Sequence, residues 1–289
     1  MLKQRILSAV VMIAVTLIAL FWLSPLPFTL ALAAIIVLGM WEWAQFVGFK
    51  RPIARVIVAL VTLALLIFPI MASTDYIQST RFLTDETIPL LFLGGVWWLI
   101  AIVLVVSYPK SASIWSKSSS TKFIFGFCTL IPFFISTLAL RFYHYNFDPY
   151  QGTYLLLYVF LLVWGADSGA FFVGRTIGKH KLAPKVSPGK SWEGAIGGVI
   201  TSALIAVIFL SVTPDNVFGR TVETVPFIIL SMVTVIISAL GDLSESMFKR
   251  QAGIKDSSNL IPGHGGILDR IDSLTAALPI FAIGFFFLL

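Results

Sequence analysis

The sequence predicts an all-α, polytopic integral membrane protein of about nine transmembrane helices, built as a single domain over residues 1–289. Three observations carry that reading. The chain is 58% hydrophobic and only 12% charged, against about 45–50% and about 25% in an average soluble domain. Its apolar residues fall in runs close to the ~20 residues that an α-helix needs to cross a bilayer. Its basic residues are shared very unevenly between alternate connections.

The runs are 6–23, 28–47, 53–71, 88–107, 123–140, 153–173, 193–212, 225–241 and 268–289. The first follows Lys3 and Arg5, but its apolar core is too long for a signal peptide and no A-x-A-like cleavage site follows, so it reads as an uncleaved anchor. In the eighth, Leu240, Leu243 and Met247 keep helical spacing, which predicts that the helix continues beyond the apolar run to about Arg250. The stretch 274–289 is short for a span, so the last helix should begin near Leu268. The Ser-rich 111–122 reads as a flexible linker. The connections 72–87, 141–152 and 213–224 carry no chemistry-bearing pattern. No internal repeat supports an inverted-repeat transporter.

With the N-terminus cytoplasmic, seventeen of the twenty Lys and Arg residues fall on the inner side and only Arg81, Arg141 and Arg220 on the outer. That bias predicts an odd number of spans and an outward C-terminus. It also puts two charged segments, 174–192 and 242–272, on the cytoplasmic side. In this setting the net charge of +6 marks topology and membrane-lipid headgroup contact, and no nucleic-acid partner is expected. The single Cys128 excludes a disulfide framework and a Cys-based zinc site.

Candidate site residues cluster in those inner segments. Asp167 lies in Trp164-Gly165-Ala166-Asp167-Ser168-Gly169, inside the sixth run. A carboxylate there is costly in lipid and is a functional candidate by default; the alternative is a structural Asp beside a close-packed Gly165/Gly169 contact. In 174–192, Ser187-Pro188 resembles an N-cap followed by Pro at the first helical position. Lys190 would then oppose the helix dipole in the first turn, a conflict that a bound anion resolves. Gly189-Lys190-Ser191 is not the end of a P-loop, because Pro184 stands where the first Gly belongs and no strand precedes it.

On the extension of the eighth helix, Asp242, Glu245 or Ser246, and Lys249 share a face. Asp269 and Asp272 share a face at the start of the ninth helix. His264-Gly265-Gly266 precedes them and offers close backbone approach and N–H groups to a phosphate. Carboxylates without Cys or clustered His select a hard cation, and with substrate phosphates they favour Mg²⁺. With Lys and Arg alongside, the chemistry indicated is phosphoryl or nucleotidyl transfer at a membrane boundary.

Ser246-x-x-Lys249-Arg250-x4-Lys255-Asp256, followed by Pro262-x-His264-Gly265-Gly266-x-x-Asp269-Arg270-x-Asp272, resembles the signature of the phosphatidate cytidylyltransferases (CDP-diacylglycerol synthases). Residues 164–181 and Ser187-Pro188-x-Lys190-Ser191-x-Glu193 are similar to that family's other inner-side motifs, and length and span number agree. The resemblance implies an enzyme of the bacterial inner membrane that joins CTP to phosphatidic acid, releasing pyrophosphate and CDP-diacylglycerol. It implies a Mg²⁺ requirement, open to a second cation, and a homodimer. On that reading Asp242, Asp269, Lys249, Arg250 and His264 form the catalytic group, and Asp242, Asp269 and Asp272 are the metal ligands. Lys190, Ser191, Lys255, Gly265, Gly266, Arg270 and Asp167 bind substrate. Another membrane phospho- or nucleotidyltransferase, such as a polyprenol or phytol kinase, is the near alternative. A transporter with Asp167 and Asp242 as an ion relay is the distant one, and carboxylates gathered at the inner boundary rather than mid-membrane count against it.

Overall fold

A computed structural model of the chain describes residues 2–49, 51–72, 82–213 and 222–289. Of the residues used to predict topology, Lys50, Arg81 and Arg220 lie outside them. Among the described residues nine long helices follow one another: α1 (Leu2–Trp22), α2 (Pro25–Val47), α3 (Pro52–Ala72), α4 (Thr87–Val106), α5 (Ser119–Arg141), α6 (Gln151–Ile177), α7 (Trp192–Val212), α8 (Thr224–Ala252) and α9 (Leu268–Phe287). A single turn of helix, Ala112–Trp115, precedes α5. A small antiparallel hairpin, β1 (Lys181–Ala183) with β2 (Ser187–Ser191), lies between α6 and α7.

Eight of these helices, all but α3, are long and apolar enough to cross a membrane. The third expected span is met by α3, of 21 residues, whose described apolar part is Pro52–Ile67. The nine expected runs therefore correspond to α1–α9. Two helices outrun their apolar stretches, α6 to Ile177 and α8 to Ala252. Local chemistry explains the ends: Pro opens α2 and α3, Ser118 caps α5 by accepting the Thr121 N–H at 3.2 Å, and Gly48 and Gly253 close α2 and α8 in the left-handed region.

The inner helix is α9, which packs against α8, α5 and α4 and contributes Ala276, Ala277, Leu278, Phe281 and Phe285 to the core without exposure. Outward faces of α1, α3, α4 and α7 stay apolar and exposed, as at Val10, Leu60, Leu99 and Leu204, which is how a helix facing lipid reads. The pair α6·α7 is built on small residues. A Cβ on Gly194 or Gly198 would press on the carbonyls of Ala170 and Ala166 at 2.8 Å, so the two backbones run in contact. Near the C-terminal end of α8 an aromatic cluster fixes the helix: Phe248 lies 4.9 Å from Trp43 and 5.0 Å from Trp115, ring to ring, geometry in which such pairs are attractive.

Candidate active site

The site forms where the C-terminal end of α8 meets the start of α9. Gly241 makes this possible. A Cβ there would collide with the Asp272 backbone carbonyl, so only glycine lets the two helices approach this closely. The approach brings Asp242 and Glu245, on α8, within electrostatic reach of Asp272 on α9.

Lys249 is the hub of one half. Its ammonium donates to Glu245 Oε2 at 2.8 Å, one helical turn back, and to Asp269 Oδ1 at 2.6 Å. Side-chain exposure is 11% for the lysine and 5% for each acid, so the group is removed from water and strongly coupled. The second oxygen of Asp269 accepts from the Ser257 N–H and hydroxyl, both at 2.9 Å, and from the Gly266 N–H at 2.8 Å. Gly266, expected to offer its N–H to phosphate, thus gives it to Asp269.

The other half joins the two charged segments. Lys190 pairs with Asp242 at 2.8 Å, and Ser246 donates to the same carboxylate at 3.2 Å. Asp167 is in electrostatic contact with Lys190, Asp242 and Arg270. Four residues far apart in sequence are therefore neighbours.

The local structure around Lys190 differs from expectation. Ser187-Pro188 does not open a helix. Residues 187–191 are engaged as β2, in register Lys181↔Ser191 and Ala183↔Ser187. The helix starts at Trp192, capped by Ser191, whose Oγ accepts the Gly194 N–H at 3.2 Å. Glu193 holds the start in place by accepting from His180 Nδ1 at 2.6 Å and from the Lys179 and His180 N–H groups. Lys190 consequently precedes the helix and does not sit in its first turn, where its charge was expected to oppose the dipole. Ser191 serves as the cap. Arg250 ties α8 to the hairpin by donating to the Val186 carbonyl at 3.2 Å.

Beside these groups, Lys255, His264, Gly265 and Arg270 line a cleft of about 550 Å³, together with Arg5 from α1. The turn that forms its wall needs positive φ at Gly263 and Gly265 (77° and 82°). His264 Nδ1 is 2.7 Å from Ser8 Oγ, again on α1.

Sequence reasoning passed over Glu42. It is fully buried in α2, with its carboxylate against the loop that leads into α9. The cost of a carboxylate inside an apolar run, which singled out Asp167, applies equally to Glu42 and was signal enough to find it.

The donor chemistry suits a hard divalent ion. The carboxylates are Asp167, Asp242, Glu245, Asp269 and Asp272, and the cations acting on them most strongly are Lys190, Lys249 and Arg270. Among the described residues Ser244 Oγ is moreover buried without a hydrogen-bond partner, a condition that an ordered water or an ion would relieve. Among the described residues no three His, Cys, Asp or Glu side chains form a ready cage. Mg²⁺ does not require one, since it is usually held by one or two carboxylates plus substrate phosphates.

Comparison with known proteins identifies the family. The family model described as "Cytidylyltransferase family" matches residues 3–288. A Haemophilus influenzae protein named phosphatidate cytidylyltransferase is 54% identical, with all of both chains aligned. Proteins of the same name from Pseudomonas aeruginosa and Bacillus subtilis are 41% and 32% identical, over 98% and 96% of this chain and 96% and 95% of theirs. The chain belongs to the cytidylyltransferase family.

Proposed function

We propose that this chain is a nucleotidyltransferase that transfers the cytidylyl group of CTP to phosphatidic acid, releasing pyrophosphate and CDP-diacylglycerol. One observation carries the reading: carboxylates of α8 and α9 meet Lys190 and Lys249 at one end of membrane-length helices, in a chain of that family. The enzyme acts from the cytoplasmic face of a bacterial inner membrane, with the N-terminus inside and the C-terminus outside; the seventeen-to-three charge bias supports that orientation. A homodimer is the proposed active unit, on the resemblance alone.

The phosphate monoester of phosphatidic acid, with a second pKa of about 6, is already largely dianionic at neutral pH. It can attack the α-phosphorus of CTP without first losing a proton. A new P–O bond forms to the lipid phosphate as the bond to the β-phosphate breaks, and pyrophosphate leaves. The obstacle is bringing anions together in line. Lys190, Lys255 and Arg270 oppose that repulsion at the polyphosphate, and the rigid Lys249–Asp269 pairing orients the acid side of the site. A Mg²⁺ ion held by Asp242, Asp269 and Asp272, a group compatible with a second cation, would supply further charge neutralisation at the phosphates.

Purified protein given CTP, phosphatidic acid and Mg²⁺ should form CDP-diacylglycerol, and omission of any one should stop it. Folded protein that makes no cytidylyl lipid with all three saturating would refute the reading. For sidedness, cysteines at Lys185 and Asn259 should resist a membrane-impermeant maleimide applied to intact cells. Ready labelling would put the site outside.

A further inference from the structure

Glu42 accepts four hydrogen bonds, and all of them come from the segment that delivers Asp269. The Ile267 and Leu268 N–H groups donate at 2.9 and 2.7 Å, and the Ser257 and Ser258 hydroxyls at 2.9 and 2.5 Å. A helix leaves its first N–H groups without intrahelical partners. In α9 the N-cap residue is Ile267, which has no side chain able to serve them. Glu42 supplies from α2 what an Asp or Ser cap supplies elsewhere, with its charge at the positive end of the helix dipole.

The reach extends one bond further. Ser257 Oγ lies 2.9 Å from Glu42 Oε2 and also 2.9 Å from Asp269 Oδ2, so one hydroxyl hydrogen stands between two carboxylates. Gln45, in the next turn of α2, donates to the Ser257 carbonyl at 2.6 Å. Gly266 completes the seat, because a Cβ there would strike both Glu42 and Ser257. A brace that merely held α2 to α9 would need the two backbone N–H groups. It would not need a hydroxyl shared with Asp269.

We propose that Glu42 is a positioning residue: through Ser257 and the first turn of α9 it sets the side-chain orientation of Asp269 and so its pairing with Lys249. The inference rests on the reading that Asp269 belongs to the active site. The test uses full-length Glu42→Gln, Ser257→Ala, the double variant and Asp269→Asn, purified in detergent and normalised to folded protein. Ser257→Ala keeps the backbone N–H to Asp269 and should lower kcat roughly tenfold. Glu42→Gln should lower it roughly 10²-fold, the scale of a displacement near 1 Å at a reacting centre. KM for CTP and for phosphatidic acid should stay within about threefold, and the double variant should be no slower than Glu42→Gln alone, as for groups acting through one contact.

If folded Ser257→Ala and Glu42→Gln keep kcat within about twofold of the parent while Asp269→Asn is inactive, Glu42 is a structural brace; the positioning role falls and the site reading stands. If Asp269→Asn itself turns over normally, both fall. Should Glu42→Gln not be recovered folded, Ser257→Ala decides on the same threshold.

Discussion

Replacing Lys249 by Met keeps the length of the side chain and removes its charge. Two acids, each 5% exposed, then face each other without the ammonium that sits 2.8 and 2.6 Å from them. Removing one partner of a buried ion pair costs about 3–5 kcal/mol, because the charge left behind is uncompensated. The loss falls unequally. Asp269 keeps its donors from Ser257 and Gly266. Glu245 loses the Lys249 donor to Oε2 and is left beside a second acid, Asp272. Adding Glu245→Gln should therefore recover at least half of the loss, since a neutral amide needs no counter-charge. At roughly 2–4 °C per kcal/mol, the scale of large soluble domains, the thermal midpoint should fall by roughly 6–20 °C in the single variant. Fluorescence-detected size-exclusion thermostability in detergent measures this directly. A single variant melting within about 2 °C of the parent, or a double variant less stable than the single, would refute the reasoning.

Asp242→Asn and Asp269→Asn should each lower turnover about 10²–10³-fold while eluting as folded protein; near-normal turnover at saturating Mg²⁺ would remove that residue from the proposed ligand set. Lys190→Ala should raise the CTP requirement roughly tenfold, the loss of one charge-assisted phosphate contact; an unchanged requirement would return Lys190 to marking topology and pairing with Asp242. His264→Gln should lower activity through geometry, by loosening the contact with Ser8. Its pH–rate profile should still rise as the substrate phosphate ionises near pH 6 and then stay level, as in the parent. Rescue of that variant by exogenous imidazole would instead make His264 a base.

The helices were legible because lipid imposes one rule on every span: the backbone must satisfy itself, and the side chains must be apolar for about 20 residues. The same regularity exposed the exceptions, so the extension of α8 to about Arg250 could be read from spacing and the start of α9 near Leu268 from the length a span needs. The hairpin could not. Ser187-Pro188-Gly189 contains the two residues least suited to a strand, and only its pairing with 181–183 makes it one. That hidden pairing moved Lys190 out of a helix it never entered. Glu42 was visible as a misplaced charge, but its partners lie 215 to 226 positions along the chain. Nothing local to Trp41-Glu42-Trp43 says that it serves α9. Arg5 and Ser8 likewise gain meaning only when α1 folds against the turn at Pro262–His264.

The most direct test of the account follows the position of the label in CTP. Purified protein, phosphatidic acid and Mg²⁺ are incubated in parallel with CTP labelled at the α- or the γ-phosphate, and the lipid and aqueous phases are counted. Nucleotidyl transfer predicts that the α-label enters the lipid in step with release of γ-label as pyrophosphate. Entry of the γ-label into the lipid, with the α-label left in CDP, would make the chain a lipid kinase and contradict the account.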